Sequence, residues 1–239
     1  MRELIRAGAA AMGIALPDDA PDKLVIYHEM LVETNRVMNL TRVPDDPAEA
    51  IDRNYLDSLA PLAAPQLMDG VKTLCDVGTG AGFPGVPLSI ARPDIHVVLM
   101  DSLGKRVKFL QGVIDRLCLN AEAVHIRAED AAKLPNYRYR FDLAVARAVA
   151  ALPTLCELTL PFVKAGGRFI AYKGPSLDEE LAQSGAILKR MKSECLETRR
   201  VAFPGRDWDH RLCVVRKNAP TPASFPRKAG EAGRNPILR

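Results

Sequence analysis

Asp76-Val77-Gly78-Thr79-Gly80-Ala81-Gly82 is the stretch that decides the fold of this chain. An apolar run at 71–77 leads into it and an amphipathic stretch at 84–91 follows, the pattern of strand, glycine turn and helix. Glycines at such a turn let a ligand approach the backbone, and the helix start adds free N–H groups. In an α/β sheet this position is the mouth of the cleft at the carboxyl ends of the strands. Asp101 ends the next apolar run, 21 residues after Gly80, where a carboxylate suits the two hydroxyls of a ribose. A tight turn with no ligand is the plainer alternative, and Asp101 weighs against it.

Outward from the loop, short apolar runs alternate with helix-like stretches. Runs at 71–77, 95–100, 123–126, 141–145 and 168–172 read as strands, and 84–91, 104–118, 128–134 and 151–162 as helices. The alternation predicts an α/β fold, a doubly wound and mostly parallel sheet. A further helix is expected over 177–191. The runs 196–203 and 212–215, on either side of Pro204 to His210, read as a closing hairpin.

Residues 1–70 read as a helical extension. Leu24, Val25, His28, Leu31 and Val32 share one face, with Asp22 as the expected opening. Asp46-Pro47 reads as an N-cap and first-turn proline for a second helix through Ile51, Tyr55 and Leu59. The expected division is therefore 1–70 helical extension, 71–217 core and 218–239 a basic tail on or near the core. That tail, with four prolines, is read as extended.

The net charge of +4 is unevenly spread. Residues 1–70 hold six Lys/Arg against twelve Asp/Glu, whereas 196–239 hold ten against four. A basic end suits phosphates as well as it suits solvent. The five cysteines show no Cys-x-x-Cys pair, so neither a disulfide framework nor a metal site is expected, and the thiols are read as buried and reduced. No apolar run reaches membrane-spanning length, and Met1-Arg2-Glu3-Leu4-Ile5-Arg6 does not read as a secretory signal, so a cytoplasmic protein is expected.

Two ligand chemistries compete for the loop. Gly80-x-Gly82-x-x-Gly85 formally fits a dinucleotide fingerprint and a nicotinamide oxidoreductase. Asp76, two residues before the first glycine, tips the reading the other way: Asp-x-Gly-x-Gly-x-Gly resembles the S-adenosylmethionine motif of class I methyltransferases. Ala128-Glu129-Asp130, after the third run, is placed to meet an adenine amino group, or else simply complements a helix dipole.

The fourth strand end, Phe141 to Ala148, carries no Asn/Asp-Pro-Pro-aromatic motif for exocyclic amines, and Cys156 reads as packing rather than as a nucleophile. What remains is an acceptor that already has a free lone pair, which needs positioning and no general base. Guanine N7 is one such acceptor. Arg147 and Lys173, at the fourth and fifth strand ends, would then hold O6, another guanine group or a phosphate, because a donor on N7 itself would block transfer. The alternative for Arg147 is an ion pair with Asp142 or Asp130.

Several further stretches carry a resemblance over nearly the whole chain. They are Asn35-Arg36-Val37-Met38-Asn39-Leu40-Thr41, the loop extended through Phe83-Pro84-Gly85, Asp101-Ser102-Leu103-Gly104-Lys105-Arg106, Ala146-Arg147-Ala148, Tyr172-Lys173-Gly174 and Phe225-Pro226-Arg227-Lys228. With them the sequence resembles the bacterial 16S ribosomal RNA guanine-N7 methyltransferases, also called glucose-inhibited division protein B. The resemblance implies S-adenosyl-L-methionine held by Asp76, Gly78, Gly80, Gly82, Phe83, Asp101, Ser102, Ala128, Glu129 and Arg147. It implies a catalytic set of Arg147, Lys173 and Asn39. It implies a surface for 16S RNA or the 30S subunit at Asn35, Asn39, Tyr55, Lys105, Arg106, Lys173, Arg227 and Lys228. A monomer without metal is expected. A small-molecule methyltransferase and a non-catalytic RNA-binding assembly protein are the alternatives.

Overall fold

The computed structural model describes residues 1–44 and 46–239. Helices α1 (Arg2–Ala11) and α2 (Ala20–Asn35) come first. The α1 helix falls within the expected helical extension, and α2 opens at Asp19 with Pro21 in its first turn, one turn before Asp22. Next come α3 (Pro47–Ala50), a π-helical stretch Ile51–Leu56 and α4 (Asp57–Leu59). Asp46 caps α3 as its type and the following proline predict: its carboxylate accepts from Ala48 N at 3.4 Å and Glu49 N at 2.9 Å. The π stretch is a departure from the expected plain helix. In it the Asp57 N–H reaches Asp52 O, five residues back, and the Arg53 carbonyl instead accepts from the distant Arg147.

The sheet has strands β1 (Thr73–Val77), β2 (His96–Asp101), β3 (Ala121–His125), β4 (Phe141–Arg147), β5 (Val163–Lys173), β6 (Ser193–Phe203) and β7 (Arg206–Lys217). Their order is β3-β2-β1-β4-β5-β7-β6, parallel through β5, with β7 antiparallel to both neighbours. Between the strands lie α5 (Gly85–Ala91), α6 (Gly104–Leu117), α7 (Ala128–Ala131) and α8 (Leu152–Thr159), and after β5 come α9 (Leu177–Ala182) and α10 (Gly185–Arg190). The single helix expected over 177–191 is thus two. Ser184 separates them, its hydroxyl returning to the Glu180 carbonyl at 2.7 Å.

The closing hairpin is tighter than expected. Phe203 pairs with Arg206, leaving Pro204-Gly205 as a two-residue turn with Gly205 at φ +76°. Trp208 and His210 therefore lie in β7 rather than in a loop. The tail is not wholly extended either: α11 (Glu231–Arg234) forms within it.

Two apolar cores cover the two faces of the sheet. One joins α1, α2 and the 51–60 stretch to α5, α6 and one side of the strands, through Tyr27, Leu31, Tyr55, Val86, Leu110 and Val145. The other packs α8 and α10 on the opposite side and takes in Phe225 from the tail. Residues 1–70 thus share a core with the sheet they extend. The reading of all five cysteines as buried fails at Cys118, which is exposed, and at Cys195, which is half-buried 3.8 Å from Cys213. No helix is long and apolar enough to cross a membrane, and no cluster of three metal-ligating side chains occurs among the described residues.

Candidate active site

The strand order reverses between β1 and β4, the place where open α/β sheets bind ligands. The glycine loop sits there and has two sides. Gly78 and Gly80 take left-handed φ of +72° and +63°. A Cβ on Gly78 would come within 2.8 Å of Val149, and one on Gly80 would point into open space. Gly82 and Gly85 face inward. A Cβ on Gly82 would meet Val86, Leu110 and the Tyr27 hydroxyl within 2.8 Å, and one on Gly85 would meet Leu99 and the Asp76 carboxylate. Gly82, expected at the ligand, therefore serves the close packing of loop against helix. Phe83 also turns inward, 5.3 Å from the Tyr27 ring and 5.6 Å from Tyr55.

Asp76 lies buried beneath the loop. Its Oδ2 accepts from the Thr79 hydroxyl at 2.7 Å and Gly85 N at 2.8 Å, and its Oδ1 is buried with no partner among the described residues. Burial pushes its pKa up to about 6, although the Thr79 and Gly85 hydrogen bonds pull the other way. A buried carboxylate oxygen without a donor fits a ligand that brings one.

In front of the loop is a cleft of about 390 Å³, walled by Gly78, Asp101, Ser102, Ala128 and Glu129, and by Arg106. Asp101 braces it: Oδ2 accepts from Gly80 N at 2.9 Å and from Arg106 Nη1 at 3.3 Å, and Oδ1 from Leu103 N at 2.8 Å. Arg106, expected on the RNA side, is thus turned to the cleft wall. Glu129 is tied to the tail, accepting from Gly230 N at 2.7 Å.

A second cavity, of about 320 Å³, opens between the ends of β4 and β5. Arg147 and Lys173 both line it, together with Asp57, Glu180 and His210. Arg147 does not pair with Asp142 or Asp130. Asp142 is occupied by Lys164, Thr73 and Lys72 N, and the Arg147 Nη1 donates to Asp57 Oδ2 at 2.8 Å and to Arg53 O at 2.9 Å. Its guanidinium lies 5.0 Å over the Phe83 ring, and its Nε and Nη2 have no partner among the described residues. Lys173 is almost buried, its Nζ 2.6 Å from Glu180 and 3.0 Å from the Ala150 carbonyl. Ala148, left-handed at φ +56°, lines both cleft and cavity, so the two compartments share a wall.

Other expected contact residues are placed differently. Asn35 uses its amide to close the loop after α2, donating to Thr41 O at 2.9 Å and accepting from Leu40 N at 2.9 Å and Thr41 N at 3.2 Å. Tyr55 is fully buried, its hydroxyl 3.0 Å from His28 Nδ1, and cannot touch RNA without leaving the core. Arg227 is bound to the buried Glu157 through Nε and Nη2 as well as its backbone N–H, so it latches the tail. Asn39 is exposed and outside both compartments. Lys105 and Lys228 are exposed and have no ion pair among the described residues.

With this geometry in place, a family model described as rRNA small subunit methyltransferase G matches residues 21–203. The chain belongs to this family. It is 43% identical over 238 residues to the ribosomal RNA small subunit methyltransferase G of Acetivibrio thermocellus, covering 99% of this chain and 97% of that one. It is 41% identical to the protein of that name from Alkaliphilus oremlandii, covering 99% of each. Among solved structures, the PH0226 protein of Pyrococcus horikoshii OT3 superposes with a TM-score of 0.54 at 15% identity, over 78% of this chain and 99% of that one. The fibrillarin pre-rRNA processing protein of Methanococcus jannaschii gives 0.51 at 17% identity, over 69% of this chain and 77% of that one. At these identities the structural likeness shows the class I methyltransferase fold and no more.

Two members of the site in this family member escaped the sequence reading. Asp57, just after the π stretch, carries no local signal of its pairing with Arg147, 90 residues away. His210 falls in the stretch between the two expected strands of the hairpin, whereas the turn is only Pro204-Gly205. The only signal available was the spacing: a two-residue Pro-Gly turn puts residue 210 well into a strand.

Proposed function

We propose that this chain is an S-adenosylmethionine-dependent methyltransferase that methylates N7 of a guanine in 16S ribosomal RNA. The observation that carries the proposal is the shared wall at Ala148, between a glycine-loop cleft for the donor and a cavity holding Arg147 and Lys173 for the acceptor. The residues present fit the donor. Gly78 and Gly80 leave the backbone bare, the unpartnered Asp76 Oδ1 suits a bound ammonium, and Asp101 walls the cleft where ribose hydroxyls would lie. Bound S-adenosylmethionine supplies a methyl group on a positively charged sulfur.

The protein's task is then alignment. Guanine N7 carries its own lone pair, so no side chain need remove a proton, and holding the two reactants in line supplies much of the rate. Arg147 lines the cavity with its Nε and Nη2 unpartnered among the described residues, its Nη1 fixed by Asp57 and the Arg53 carbonyl. These groups suit guanine O6. Lys173 braces the cavity through Glu180 and Ala150. The target base has to leave its stack to enter.

We also propose, for the chain as a whole, a monomer acting in the cytoplasm, with 1–70 and 218–239 as extensions of a 71–217 core. Labelled S-adenosylmethionine, offered with naked 16S RNA, 30S particles and small metabolites, tests the main reading. Label should enter one guanine, found by borohydride–aniline cleavage. Label in small molecules alone, or in no substrate, overturns it.

A further inference from the structure

The acceptor cavity contains a histidine that the transfer chemistry above does not use. His210 lies in β7, its ring stacked on Trp208 at 5.6 Å and 25°, with the Phe203 ring edge-on at 5.4 Å. Its Nδ1 is 3.0 Å from Asp57 Oδ1. The other oxygen of this buried carboxylate takes Arg147 Nη1 at 2.8 Å. A carboxylate that already accepts from a guanidinium accepts again at its second oxygen, so Nδ1 carries a proton, and the tautomer this selects has its lone pair on Nε2. That nitrogen has no partner among the described residues, and His210 lines the cavity.

The rest of the lining is largely spent. Glu180 is taken by Lys173, by the Ser176 hydroxyl and by Leu152 N, and the Tyr172 hydroxyl by the Ser58 carbonyl. The two cations offer donors, and Nε2 offers an acceptor. Guanine needs both: O6 accepts, whereas N1–H and the N2 amine donate. Adenine reverses the pattern at N1 and C6, and would set a lone pair against Nε2 and an amine against Arg147. We propose that His210, oriented by Asp57, is a specificity-determining residue that accepts a hydrogen bond from the Watson–Crick edge of the target guanine. The inference rests on the reading of this cavity as the guanine pocket. The three aromatic and carboxylate contacts that fix the ring make the acceptor rigid, and a rigid acceptor discriminates best because the wrong base leaves it unpaired.

The test is a cycle between protein and base, with the full-length chain and 16S-derived RNA. The target guanosine is replaced by inosine, which lacks the N2 amine, or by 1-methylguanosine, which lacks N1–H. Wild type should lose about tenfold in kcat/KM on one of the two. His210→Ala should lose a similar factor on guanosine RNA and little more on that same analogue, because the contact is already gone. His210→Gln, whose Oε1 accepts, should recover much of the discrimination. If His210→Ala loses the same factor on all three RNAs, or if wild type treats all three alike, the inference is overturned, and the second comparison needs no variant. If wild type labels no guanosine RNA at all, it is the methyltransferase reading that fails, and the inference falls with it.

Discussion

The Tyr27 hydroxyl donates to the Ala81 carbonyl across 2.6 Å, tying the helical extension to the glycine loop. Burial raises the Tyr27 pKa well above its ordinary value, so the group stays a donor throughout the physiological range. Tyr27→Phe keeps the ring against Phe83 and leaves the Ala81 carbonyl without its donor. We expect a loss of about 1–2 kcal/mol in urea unfolding. S-adenosylmethionine affinity should fall severalfold by titration calorimetry, since the loop that binds it loses its tether. Unchanged affinity would mean the loop is set by the sheet alone.

Gly78 lines the donor cleft, packed against Val149 beside the shared wall at Ala148. Gly78→Ala forces a left-handed alanine, costing about 1–2 kcal/mol, and adds a Cβ against Val149. Donor binding should drop more than stability does. Adding Val149→Ala should relieve the clash and restore part of the stability, with the backbone strain remaining. Equal melting temperatures for the single and double variants would show that Val149 moves aside freely.

Asp76 links pH to both folding and binding. Its folded pKa, raised by burial to about 6 from an ordinary 3.8, makes its contribution to stability full below the lower value and lost as pH rises through the higher. Relative to Asp76→Asn, wild type should therefore lose about 2 kcal/mol between pH 4 and pH 7 without ligand. An ammonium beside Oδ1 favours the ionised form, so donor affinity should strengthen from pH 5 to pH 7, with proton release near pH 6. Calorimetry in two buffers of different ionisation enthalpy reads that release, and a flat pH profile would separate Asp76 from the ligand.

The sheet and its cleft were legible because their signals are local. The runs 71–77 and 95–100, the glycine loop and Asp101 each announce a strand, a turn or a strand end within a few residues, and the strands β1 and β2 and the cleft appear where those signals put them. The Asp46-Pro47 cap was legible for the same reason. Side-chain destinations were not. Asn35, Tyr55 and Arg227 are polar residues in motifs, and nothing local says that the first closes a loop, the second is buried under α2 or the third finds Glu157 seventy residues back. Lys173 was placed at its strand end correctly, but its pairing with Glu180 depends on how α9 folds back. Asp57 and His210 stand 153 residues apart in sequence and meet only through the β5–β7 pairing.

The tail illustrates how a basic motif can serve packing instead of RNA. Glu157 is buried in α8, and Arg227 meets it with two guanidinium nitrogens and its backbone N–H. Arg227→Ala strands that carboxylate. The cost should be about 3 kcal/mol, at the low end for a broken buried pair because Arg227 is partly exposed. The melting temperature should drop by about 8 °C in a chain of this size. Glu157→Gln in the same chain should recover part of it. RNA affinity measured below the melting transition should keep its salt dependence. Exposed Lys105, in contrast, should act on phosphates: Lys105→Ala should lower the slope of log affinity against log salt by about 1 and leave stability unchanged. A lower slope for Arg227→Ala, or none for Lys105→Ala, would reverse the two assignments.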